Sequence, residues 1–253
     1  MKAFKHLRSK WFHYGFETLA VVVGILAAFA LENWNEERQA KDQANTFLYH
    51  IASNIEEDME ELQALMAHVD KSIVRAESLI TSFKQSSFDV HEATNYIDYL
   101  NVEKSFQVNR SGMDALINSG RLDLLTPDLT YALQQYYAIS DKLADREAIS
   151  NGFIQNKYET YHYENYAQST RMSDAFDIKD KYADDPREPY LVDEEKLVDD
   201  YKLEILILIR LVHSETEKEI YQQLIHSAGE LSASIKQILS DIKDEYTRQE
   251  AGI

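Results

Sequence analysis

L-Y-H-I-A-S-N-I-E-E-D-M-E-E-L-Q-A-L-M-A-H-V-D-K-S-I-V-R-A-E-S-L-I-T-S-F, running from Leu48 to Phe83, is the stretch that decides the fold of this chain. Its apolar residues fall at Leu48, Ile51, Ile55, Met59, Leu62, Met66, Val69, Ile73, Ala76, Ile80 and Phe83, with spacings 3-4-4-3-4-3-4-3-4-3. That is a heptad seam with one stutter near Ile55, and it predicts one long helix buried along a single stripe. The 87 residues between Gly24 and Gly112 contain neither Gly nor Pro, so nothing stops the helix from extending upstream.

Upstream lies L-A-V-V-V-G-I-L-A-A-F-A-L, Leu19 to Leu31, thirteen consecutive residues without a polar side chain. Trp11 and Trp34 bracket it as interface anchors over 24 residues, about 36 Å of helix, enough for a bilayer core of about 30 Å. Lys2, Lys5, Arg8 and Lys10 give the first fourteen residues a charge of +4 with no acid, while Glu32, Glu36 and Glu37 open the other flank. Basic residues stay on the cytoplasmic side. The expected order is therefore a basic cytoplasmic N-terminus (1–14), a transmembrane helix (15–34) in the inner membrane, and an extracytoplasmic helical domain (35–253). A cleavable signal peptide is the rival, since the basic start, the apolar stretch and Ala28-Phe29-Ala30 meet its requirements. Glu17 and the flanking tryptophans argue for the retained anchor.

The formal net charge is −18, and the chain beyond residue 14 carries −22. Such a surface repels nucleic acid, which is excluded as a partner. The absence of cysteine removes disulfides, thiolate metal sites and cysteine nucleophiles together.

Downstream, the spacing predicts a loop over Gln85 to His91 and a short helix over Glu92 to Leu100. Another short helix near Met113 closes at Gly120. Thr126 then caps a helix with Pro127 at its first position and Asp128 in its first turn. Leu129, Leu133, Tyr136, Tyr137, Ile139, Leu143, Ile149, Phe153 and Tyr158 carry that helix to about Tyr166. Residues 169–190 hold the two remaining prolines and a run of acids, an acidic linker. A last helix or helix pair covers Val192 to Tyr246, and its nearly all-apolar start, Leu203 to Val212, is too short to span a bilayer and is expected to be buried on most sides. The fold class is all-α: a transmembrane helix continuing into an elongated antiparallel bundle of about four long helices.

The sequence G-F-E-T-L-A-V-V-V-G-I-L-A-A-F-A-L-E-N-W-N-E-E-R at Gly15 to Arg38 resembles the opening of a family of single-pass membrane proteins of Gram-negative bacteria whose function is unknown. Members carry a G-E-x-x-L-V-V-x-G-I-L-I-A-L start and an N-W-N-E-x-R exit; here Phe16 stands between Gly15 and Glu17. A second match is A-L-I-N-S-G-R-L-D-L-L followed by L-x-x-Y-Y, Ala115 to Tyr137. The resemblance covers the whole chain and implies a retained anchor, with no particular reaction or ligand.

Candidates for chemistry are few. Glu17 is a carboxylate at the edge of a membrane span, where such groups are costly. Helical spacing sets it on one side with Ala20, Gly24 and Ala28, a small-residue packing face through which copies can associate. Either Glu17 faces a shared axis in an oligomeric pore or transducer, or it sits at the cytoplasmic interface beside His13 or another basic group. Glu159 and His162 have the E-x-x-H spacing of carboxylate di-iron bundles, but no second pair accompanies them. Asp174, Asp177, Asp180, Asp184 and Asp185 lack the order of a calcium loop. No phosphate-binding glycine loop, zinc-protease pattern or nucleophile elbow occurs. The expected function is a non-enzymatic membrane-anchored interaction, sensory or scaffold module. Its partners are the lipid bilayer, further copies of itself and a protein, and it has no cofactor. An oligomeric pore is the second reading and a metal-binding bundle the third.

Overall fold

The computed structural model describes residues 2–173, 181 and 192–250. The core of the acidic linker, with its five aspartates, lies outside the described residues, as does the Trp11 side chain. Among the described residues every regular element is helical.

Helix α1 runs unbroken from Lys2 to Gln85, 84 residues and about 126 Å at 1.5 Å per residue. The expected fusion of apolar span and bundle helix is therefore present. Ser86, at φ +49°, ends it. The chain then reverses into α2 (Val90–Leu100), capped by the Asp89 carboxylate on the Glu92 amide. A non-helical segment, residues 101–110, continues back along α1 to α3 (Ser111–Asn118). Here α3 comes so close to α1 that a Cβ on Gly112 would stand 2.9 Å from both the Ile51 amide nitrogen and Asn54 Oδ1. Gly120, at φ +69°, closes α3 as its lack of Cβ allows.

Thr126 caps α4 (Pro127–Phe153), accepting from the Leu129 amide at 3.3 Å. One π-helical turn (Ile154–Tyr158) leads directly into α5 (Glu159–Asn165). The short α6 (Glu194–Val198) precedes α7 (Tyr201–Glu250).

The described residues form three long rods where about four are expected: α1, α4 with α5, and α7. Because α2 and residues 101–110 return the chain toward the start of the bundle, α4 runs parallel to α1. Helix α7 is antiparallel to both, as the Glu56–Lys236 and Asp70–Lys218 ion pairs and the Arg146–His213 contact require.

The buried seam of α1 is Leu48, Ile51, Ile55, Asp58, Leu62, Leu65, Val69, Ser72, Ala76, Leu79 and Phe83, with Ala52, Asn54 and Ile80 buried beside it. This seam keeps strict 3-4 spacing with no stutter. Met59, Met66 and Ile73, expected within it, lie half-buried at its edge. Two polar residues, Asp58 and Ser72, hold seam positions that an apolar-only pattern assigns to the neighbouring methionine and isoleucine.

Leu203 to Val212 also departs from expectation. Leu203, Leu206, Ile207 and Arg210 are buried, but Ile205 and Val212 are 54% and 59% exposed, with Tyr201, Leu208 and Ile209 exposed beside them. Among the described residues no fourth long rod covers that side.

Candidate functional site

Helices α4 and α7 repeat the strict heptad seam of α1 and also carry polar residues in it. In α4 the seam is Leu129, Leu133, Tyr136, Ser140, Leu143, Glu147, Ser150 and Ile154; in α7 it is Leu203, Ile207, Arg210, Ser214, Glu217, Tyr221 and Leu224. At one level these substitutions coincide. Ser72 of α1, Glu147 and Ser150 of α4, and Arg210, Ser214 and Glu217 of α7 are all buried there. One apolar cluster ends at Val69, Leu143 and Ile220, and the second begins at Ala76, Tyr158 and Ile207. The interior is thus two hydrophobic cores separated by a charged and hydroxylated layer.

The layer's hydrogen bonds are specific. Glu147 Oε1 accepts the Tyr221 hydroxyl, and its Oε2 accepts the backbone N–H of Phe106 at 3.0 Å. The Arg210 guanidinium donates to Ser150 Oγ at 3.0 Å and to the Leu100 carbonyl at 3.4 Å, and it stands 3.6 Å from the Glu217 carboxylate. Burial pushes the Glu147 carboxyl up to about 7; Glu217 and Glu61 add to the rise, while the bonds from Tyr221 and Phe106 oppose it. The same burial pushes the Tyr221 hydroxyl far above its ordinary range.

A similar carboxylate–tyrosine junction sits lower in the bundle. Asp58 Oδ2 accepts the Tyr136 hydroxyl at 2.6 Å and Oδ1 accepts the Asn109 amide at 2.9 Å. Its carboxyl is raised by burial, against the two hydrogen bonds. Asn54 Oδ1 accepts the Gly112 amide at 2.8 Å. Residues 101–112, which lack helical hydrogen bonds of their own for most of their length, are therefore pinned to the rods by Glu147, Asp58 and Asn54, satisfying backbone donors that would otherwise be buried unpaired.

Near the far end, His162 Nε2 is hydrogen-bonded to Asp98 Oδ1, and Tyr161 and Tyr166 both donate to Asp200, which also caps α7 through the Leu203 amide at 2.9 Å. His68 Nδ1 and the Tyr99 hydroxyl are 2.8 Å apart. Burial, then the charges of Arg210, Lys104 and Arg75, push the His68 imidazole down to about 4.

The residues singled out in the sequence separate into two groups. Glu17, Ala20, Gly24, Ala28 and Trp34 are all exposed, as is every side chain from residue 17 to 39. Gly24 has open space where a Cβ would stand, and the Arg38 guanidinium lies 5.9 Å over the Trp34 ring. Among the described residues one helix is long and apolar enough to cross a membrane, and none of its apolar window is buried against the rest of the chain. Glu159 and His162 do not converge: Glu159 is exposed whereas His162 is buried on Asp98. No three His, Asp or Glu side chains among the described residues are grouped to hold a metal ion.

Apolar periodicity passes over Asp58, Glu147, Arg210 and Glu217. The signal that finds them is their register: each falls on a 3-4 seam whose neighbours are apolar. No protein-family model, curated protein or solved structure matches this chain.

Proposed function

We propose that this chain is a membrane-anchored helical interaction, sensory or scaffold module. Residues 15–34 hold it in the inner membrane, residues 1–14 stay in the cytoplasm, and the bundle stands outside. Copies associate through the face of Ala20, Gly24 and Ala28. One observation carries this reading: the exposed apolar span and one wall of the bundle are the same unbroken helix, α1. A rotation or shift of the bundle therefore reaches the span without crossing a flexible joint. The charge asymmetry about the span supports the orientation, and the two quoted motifs support membership of the Gram-negative single-pass family.

The polar layer supports a sensory role over a purely structural one. Buried ionic and hydrogen-bonded groups contribute little net stability but fix register, and one of these groups changes charge near neutral pH.

The absence of cysteine makes the test direct. Single cysteines replacing Ser9 and Ser87 are probed in intact cells with a membrane-impermeant maleimide, and the protein is fractionated by alkaline carbonate. Membrane retention with labelling at Ser87→Cys alone is expected; carbonate release, or labelling at Ser9→Cys alone, overturns the reading.

A further inference from the structure

Helix α7 carries a second seam opposite the buried one. Tyr201, Ile205, Leu208 and Val212 are exposed at spacings of 4-3-4, with Ile209 beside them. Numbering Ile205 as position a places Leu208 at d and Val212 at the next a. Branched residues at a with leucine at d are the pattern that favours two parallel strands. The seam ends where Glu215 and Glu219 take the next d and a positions.

From this geometry we infer that α7 pairs in parallel with α7 of a second copy of this chain, each residue of the stripe meeting its own counterpart. The inference rests on the membrane-anchored reading for its direction. Two copies inserted the same way into one membrane are related by rotation about the membrane normal. Since α7 lies along α1 in an unbroken rod, the two α7 helices then run the same way with Ile205 opposite Ile205. An antiparallel pairing would send the two anchors to opposite ends.

Four layers make a short coiled coil, too small to hold two bundles of charge −22 together in dilute solution. Anchoring in a membrane raises the effective concentration, which is what a short seam requires. Association should therefore strengthen with salt, as screening weakens repulsion between the acidic bundles.

The test uses the full-length protein in native membrane vesicles, with single cysteines at Ile205, Val212 or, as an equally exposed site on α4, Ile149. An a position of a parallel pair brings the two Cα atoms within disulfide reach. Oxidation is expected to give homodimers at Ile205→Cys and Val212→Cys at roughly fivefold or more the yield at Ile149→Cys. Adding Leu208→Asp should return the Val212→Cys yield to the Ile149→Cys level. Equal yields at all three sites, or crosslinks only between Tyr201→Cys and Val212→Cys copies, overturn the parallel seam. Carbonate release of the protein overturns the anchor reading instead, and the seam stands or falls on the same-site crosslinks.

Discussion

The Tyr221 hydroxyl of α7 donates to the Glu147 carboxylate of α4 in the level that divides the two hydrophobic cores. The carboxylate's other oxygen holds the Phe106 amide, so one buried acid joins two rods and the returning segment. Its pKa is raised from 4.5 to about 7. The folded state thus binds this proton more tightly than the unfolded chain. The stabilisation is complete below about 4.5 and is lost as pH rises through about 7. Chemical denaturation of the full-length protein in detergent should show Glu147 contributing a fall in stability across this window. Glu147→Gln, which keeps an acceptor for Phe106, should remove that contribution. An unchanged pH profile in the variant would place the titration elsewhere.

Arg210 is the one cation among the six buried residues of this level, and Glu217 is its ionic partner. Arg210→Ala leaves the buried Glu217 carboxylate without its ionic partner, and a loss of about 3–5 kcal/mol is expected. Arg210→Met combined with Glu217→Leu removes charge from both sides and should recover most of that loss. A double variant as unstable as the single would mean that the cost lies in packing rather than in unpaired charge.

The long helices were legible because heptad spacing survives polar substitution. Thr126-Pro127 and Gly120 were legible because each answers a local backbone demand. The level of Glu147, Arg210 and Glu217 was not, because counting only apolar residues discards a seam position as soon as it is polar. That is why α1 read as stuttering at Ile55, where Asp58 continues the register. The exposed stripe of α7 was misjudged for a different reason. A run such as Ile205 to Ile209 shows that a helix has two apolar faces, but only the tertiary arrangement tells which one is covered.

His162 and Asp98 form a buried pair near the far end, and among the described residues nothing hydrogen-bonds Asp98 Oδ2. Removing the imidazole in His162→Ala leaves the buried Asp98 carboxylate with only the Thr170 hydroxyl at 3.4 Å, and a destabilisation of about 1–3 kcal/mol is expected. A metal-binding bundle predicts something else: stoichiometric metal in the purified protein that disappears in His162→Ala. Elemental analysis beside the denaturation curve separates the two, because the pair with Asp98 predicts a stability change at unaltered metal content.

Gly24 has nothing within 4 Å of the place its Cβ would occupy, and the surrounding span is bare. Gly24→Leu therefore costs the isolated chain nothing in packing, while a branched side chain in the middle of the small-residue face blocks close helix approach. The full-length variant should keep the fold of its bundle, read by circular dichroism, and lose self-association in detergent by about tenfold or more. Glu17→Gln in the same assay, joined to ion flux in liposomes, tests the carboxylate. An oligomer that survives with its flux abolished assigns Glu17 to a shared-axis path. If the variant keeps both the oligomer and whatever flux the parent has, Glu17 belongs to the interface. An oligomer unchanged by Gly24→Leu would move self-association away from the face of Ala20, Gly24 and Ala28.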